Sequence, residues 1–187
     1  MPLRLPGRRL LGVLVALLIG LTGLGVQPAA AALTNNTYDG NIYALYAGNG
    51  SLVPPRSTLA QAMADHRPAA VVYYLDDDAA SKQFSPVVSE LQRLWGNNIE
   101  LIPLVIDPLQ NRPTEGPTDP ATYWSGVIPQ VVVFDPDGKV VFNASGLVDV
   151  DRINDGVSKA TGIPLPEGGT TSTTVSFNEL NAEVVSR

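Results

Sequence analysis

Val127-Ile128-Pro129-Gln130-Val131-Val132-Val133-Phe134-Asp135-Pro136-Asp137-Gly138 is the stretch on which the fold turns. Proline has no N–H to give to a sheet ladder, so Pro129 belongs at a strand's first position or in a tight turn. Gln130–Phe134 after it is an apolar run of strand length, and Asp135-Pro136-Asp137-Gly138 is turn chemistry that reverses the chain into Lys139–Asn143. A strand entered through proline and leaving through a hairpin is therefore predicted. The chain contains no cysteine, so this corner works without sulfur.

Downstream, Val150–Thr161 has the period of a closing helix. Residues 164–175 are rich in Pro, Gly and Thr and read as a flexible linker. The last segment, 176–187, opens with a capping box, Ser176-Phe177-Asn178-Glu179, and sets Phe177, Leu180 and Val184 on one side of a short helix. Such a helix is too short to be stable alone. It either docks back on the domain or holds a partner.

Upstream, Pro108–Pro120 is a proline-rich loop, with a short helix expected over Ala121–Ser125. Ile99–Ile106 reads as a strand that Pro103 assigns to an edge or a bulge. Ala79–Trp95 is helical, with Val87, Val88, Leu91, Leu94 and Trp95 on its apolar face and a kink expected at Pro86. Asp78 caps its start, where free N–H groups and the macrodipole favour negative charge. Ala69–Leu75 is a buried strand, preceded by a helix over Thr58–Asp65 capped by Ser57. Residues 33–56 form an N-terminal arm, with a short strand near Ile42–Tyr46 and Tyr38, Tyr43 and Tyr46 laying it on the domain.

The first 32 residues read as an export signal: Arg4, Arg8 and Arg9, an apolar run from Leu10 to Val26, then Ala30-Ala31-Ala32. The apolar run is interrupted by glycines and falls short of the roughly 20 residues of a membrane span. Cleavage after Ala32 leaves 9 basic against 18 acidic side chains, a net charge of −9. An acidic exported domain of this kind argues against nucleic acid as a partner and against direct adhesion to an anionic membrane.

Strand, helix, strand, helix, hairpin, helix over residues 57–163 resembles the thioredoxin fold: α/β, with a mixed central sheet and helices on both faces. Pro129 then stands where thioredoxins carry a cis-proline. Lys82-Gln83-Phe84-Ser85-Pro86 resembles the start of their long helix, which places Asp78-Ala79-Ala80-Ser81 where a Cys-x-x-Cys pair would be. Neither Asp nor Ser forms a mixed disulfide, so dithiol exchange is excluded by chemistry. The corner of that fold receives extended peptides, which makes Trp124, Val127, Ile128, Pro129, Asp78 and Ser81 the candidate partner-binding residues, with Phe177, Leu180 and Val184 as a possible second contact.

Residues 38–55 (Tyr-Asp-Gly-Asn-Ile-Tyr-Ala-Leu-Tyr-Ala-Gly-Asn-Gly-Ser-Leu-Val-Pro-Pro), Lys82-Gln83, Val127–Asp135 and Ser176–Leu180 resemble one cyanobacterial family more closely. Its members are thioredoxin-like thylakoid proteins named as photosystem I accumulation factors. The resemblance implies a lumenal or thylakoid-associated role in photosystem I assembly. The implied partners are photosystem I subunits or assembly intermediates, and any membrane association runs through them or an uncleaved leader. No cofactor is implied. An exported peptide-binding scaffold with no photosynthetic role is the alternative reading.

Two acidic motifs invite other chemistry. Val131–Gly138 mimics the first motif of haloacid-dehalogenase-type phosphatases, in which one Asp attacks phosphorus. The lysine and acids such an enzyme needs further on have no room here, and Asp-Pro-Asp-Gly is also an ordinary turn. Asp76-Asp77-Asp78 is acidic enough for a divalent cation, but consecutive residues rarely converge on one ion, and no metal site is assigned. His66 is expected at the surface and Trp95 in the core. No enzymatic activity is expected.

Overall fold

The computed structural model describes residues 33–165. The leader, nearly all of the linker, and the tail with Phe177, Leu180 and Val184 lie outside the described residues. The elements are α1 (Ile42–Ala47), α2 (Leu59–Ala64), β1 (Ala69–Tyr74), α3 (Ala79–Trp95), β2 (Glu100–Val105), β3 (Gln130–Phe134), β4 (Val140–Ser145) and α4 (Val150–Thr161). The four strands form one mixed sheet in the order β2-β1-β3-β4, with β1 parallel to β2 and antiparallel to β3. This is the α/β thioredoxin architecture.

Strand alternation sorts the core into two layers. Ala70, Val72, Tyr74, Val131 and Val133 face α1, α3 and α4, where Phe84, Val88, Leu91, Trp95, Ile153 and Val157 close over them. Ala69, Val71, Tyr73, Val132 and Phe134 face Leu59 and Ala62 of α2. Trp95 is fully buried, and its indole N–H donates to Asn154 Oδ1 at 2.9 Å, joining α3 to α4. Gly156 of α4 is required by close approach: a Cβ there would meet the Phe142 Cβ at 2.7 Å.

Asp78 caps α3 as expected, accepting from the Ser81 N–H at 2.6 Å. The helix runs unbroken through Pro86. Proline leaves the carbonyl four residues earlier without its helical donor, and that carbonyl, Lys82 O, accepts from Ser85 Oγ at 2.8 Å instead. Pro103 lies on an edge strand without disturbing its register. Glu100 N and Ile106 N donate to Pro68 O and Tyr74 O, so even-numbered residues of β2 face β1 and the donorless nitrogen of Pro103 points outward.

Four expectations about local secondary structure need correction. Ile42–Tyr46 is helix, not strand. Asn41 Oδ1 accepts from the Tyr43 and Ala44 N–H groups, Gly48 ends the turn in the left-handed region, and the covered residues are Ile42, Tyr43 and Tyr46, a helical spacing. Thr58, not Ser57, caps α2 through a capping box with Gln61, while the Ser57 hydroxyl donates to Glu100. The expected helix at Ala121–Ser125 is a 3-10 turn over Pro120–Tyr123, capped by Asp119. The returning strand of the hairpin is Val140–Ser145, shifted toward α4.

Candidate functional site

β1 runs toward the end of the sheet where β3 begins, since Tyr73 pairs with Gln130. The corner at 126–129 and the loop leading into α3 therefore share one end of the sheet. The Ile128–Pro129 peptide is cis. Pro129 is buried and its carbonyl accepts from Gly146 N at 2.7 Å, which ties the corner to the segment after β4. Val127 remains 53 % exposed and Leu147, beyond the tied Gly146, 59 %. Ile128 packs into the second core layer. The corner thus presents an apolar rim over a fixed backbone.

Trp124 lies partly buried on the same layer, its ring 5.6 Å from that of Tyr73. A residue the sequence did not single out holds it there. The fully buried Gln130 side chain accepts from Ser125 N at 2.9 Å and donates to Tyr123 O and Asn143 Oδ1, each at 2.9 Å. One amide clamps both neighbours of Trp124 to the hairpin. The Tyr73 hydroxyl adds a bond to Pro120 O at 2.8 Å.

Asp119 organises the loop before Trp124. Its carboxylate receives both ends of the Arg112 guanidinium, at 2.8 and 2.5 Å, and the Glu115 and Ala121 N–H groups. The Arg112 bond, more than any other cause, lowers the Asp119 pKa from 3.8 to about 2. A carboxylate with a depressed folded pKa stabilises above its unfolded value and loses that contribution as pH falls through the folded one. Loop anchorage is thus expected to be complete above about pH 4 and to fade toward pH 2. An NMR titration of the Asp119 carboxyl carbon checks this; a midpoint near 3.8 would mean that the Arg112 pair does not hold in solution.

The Asp78–Ser81 turn is not open in the way the corner is. The Ser81 hydroxyl accepts from Leu75 N at 3.3 Å, and Ser81 is buried. The arm covers the start of α3: Asn36 Oδ1 accepts from Ala79 N at 3.0 Å, and Leu33 O accepts from the Gln83 amide at 3.3 Å. Lys82 is fully buried, with its ammonium bonded to Thr37 O at 2.6 Å, Asp39 Oδ2 at 2.7 Å, and Asn35 O and Oδ1 at 3.3 Å. Tyr46 reinforces the clasp through its hydroxyl to Asp39 at 2.8 Å. Tyr43 packs edge-on against Tyr74, whereas Tyr38, expected to anchor the arm, is 72 % exposed. The start of α3 is thus covered by the chain's own arm.

The acidic motifs serve local structure. Asp135 Oδ1 accepts from the Asp137 and Lys139 N–H groups to shape the hairpin turn, and Asp76 Oδ1 accepts from Ile42 N at 3.1 Å. Among the described residues no three His, Asp or Glu side chains are arranged to hold a metal ion. His66 is exposed, its ring nitrogen Nδ1 3.3 Å from Pro136 O.

No protein-family model matches the chain. Two solved thioredoxins are similar in structure. A mutant thioredoxin from Halobacterium salinarum is 22 % identical with a TM-score of 0.43, over 55 % of this chain and 82 % of that one. The exposed lipoprotein thioredoxin of Streptococcus pneumoniae is 15 % identical with a TM-score of 0.43, over 54 % of this chain and 89 % of that one. In sequence, the thylakoid membrane protein slr1796 of Synechocystis is 36 % identical over 177 residues, which is 94 % of this chain and 87 % of that protein. No described helix is long and apolar enough to cross a membrane. Identity at that level along nearly all of both proteins places this chain in the family of the Synechocystis thylakoid membrane protein slr1796.

Proposed function

We propose that this protein is a redox-inactive thioredoxin-fold binding protein at the thylakoid, supporting photosystem I accumulation through protein contacts at the proline corner. The observation that carries the reading is the near full-length identity to a thylakoid membrane protein. In support, the chain has no cysteine for thiol chemistry, and the exposed Val127 beside Ile128, Pro129 and Trp124 offers an apolar contact with fixed backbone groups. Such a surface selects an extended polypeptide by shape and burial rather than by reaction. The protein acts as a scaffold without turnover and without a cofactor, and its partners are photosystem I subunits or assembly intermediates.

Deleting the gene is expected to lower P700 per chlorophyll in isolated thylakoids, with restoration by the intact gene. Trp124→Asp should fail to restore it. Val127→Asp, at a side chain more than half exposed, should fail equally while leaving the melting temperature unchanged. Unaltered P700 in the deletion would remove the photosystem role; restoration by both variants would remove the corner as the contact.

A further inference from the structure

At the opposite end of the sheet from the corner, a cavity of about 210 Å³ opens between the end of α3, the start of β2 and the turn at Gly50–Leu52. Arg56, Arg67, Gln92, Asn97 and Glu100 are among its lining residues. The carboxylate is fully engaged. Glu100 Oε1 lies 2.6 Å from Arg67 Nε, and Oε2 accepts from Ser57 Oγ at 2.7 Å. Arg67 binds through Nε, which leaves its outer nitrogens for another acceptor. Among the described residues no ion pair or hydrogen bond engages the Arg56 side chain. Gln92 Oε1 accepts from Asn49 Nδ2, so the free end of that amide is its donor.

Two guanidinium groups against one carboxylate give this concavity a positive balance in a chain whose net charge is −6. Both arginines are exposed at the rim of this hollow, so their guanidinium groups are open to a solute arriving from solvent. The negative end of the α3 macrodipole opposes an anion here, but two of its last four carbonyls have donors: Gln92 O accepts from Gly96 N, and Trp95 O from Asn98 and Ile99 N. Beside the engaged Glu100 carboxylate, the lining thus offers N–H donors, two of them planar forks suited to paired oxygens.

We infer that this cavity is a binding site for a small oxyanionic group, a phosphate or phosphate monoester, held by Arg56 and Arg67 with Gln92 and Asn97. The inference stands apart from the proposed role of the corner. Its test is a titration of the purified full-length chain with inorganic phosphate at constant ionic strength, read on the arginine Nε–H resonances. Arg56 and Arg67 should shift saturably while Arg93, paired with Glu90, stays in place. Arg56→Gln should weaken binding about tenfold or more. Asn97→Asp, which keeps both cations but adds a negative charge at an exposed position, should weaken it too.

Flotation with phosphatidic acid-containing vesicles, against phosphatidylcholine alone, separates the two sources of such a group. Arg56-dependent flotation identifies a lipid headgroup. Phosphate binding without flotation identifies a soluble ligand. Absence of saturable shifts, or wild-type phosphate binding by Arg56→Gln, overturns the proposal.

Discussion

Gln130→Leu is expected to lower the melting temperature by about 10 °C, a loss of roughly 3 kcal/mol in a domain of this size. Leucine fills much of the volume but removes an acceptor from Ser125 N and donors from Tyr123 O and Asn143. Asn143 and Ser125 are exposed, so the main cost falls on the partly buried Tyr123 carbonyl beside Trp124. A buried polar group left without its partner costs about 1–3 kcal/mol. The same variant should broaden or move the Trp124 indole N–H resonance while that of Trp95, bonded to Asn154 in the core, stays put. A stable variant with an unmoved Trp124 signal would show that the Tyr73 contact suffices to hold the ring.

Lys82→Ala should release the arm from α3. The variant removes an ammonium that Thr37, Asp39 and Asn35 share, with an expected stability loss of about 2 kcal/mol, the scale of a net hydrogen bond to a charged group. The sharper readout is hydrogen exchange at Ala79 N, which Asn36 protects. Its protection should collapse in the variant, while the amides of α3 near Leu91 keep theirs. Acid should loosen the same clasp. Lys82 chiefly holds the Asp39 carboxyl below its ordinary 3.8, so the bond persists above that value and weakens as pH falls below it. Unchanged exchange at Ala79 would mean that Tyr43 and Ile42 alone keep the arm in place.

Much of this architecture was legible because it rests on local chemistry. The proline before Gln130, the turn at Asp135–Gly138, the Asp78 cap and the limits of α3 and α4 each follow from a few adjacent residues. Ile42–Ala47 misled because six residues span fewer than two helical turns, and the deciding signals were Asn41 and Gly48 outside the apolar run. The site was legible only in part, because its supports act across the chain. Lys82 announces itself as a motif residue, yet its partner Asp39 lies 43 positions away. Gln130 reads as one more strand residue, and nothing in its neighbours shows that its amide reaches Tyr123 and Asn143. Asp119 sits among prolines, where only the cap on Ala121 is a local signal.

Pro103 carries a consequence for assembly. With its nitrogen directed away from β1, the outer margin of β2 lacks a donor at its midpoint, and a further strand laid there would meet a gap in its ladder. The sheet is therefore polarised as a template. Strand addition is thereby disfavoured beside β2, whereas the margin of β4, which leads into Gly146 and the proline corner, carries no proline.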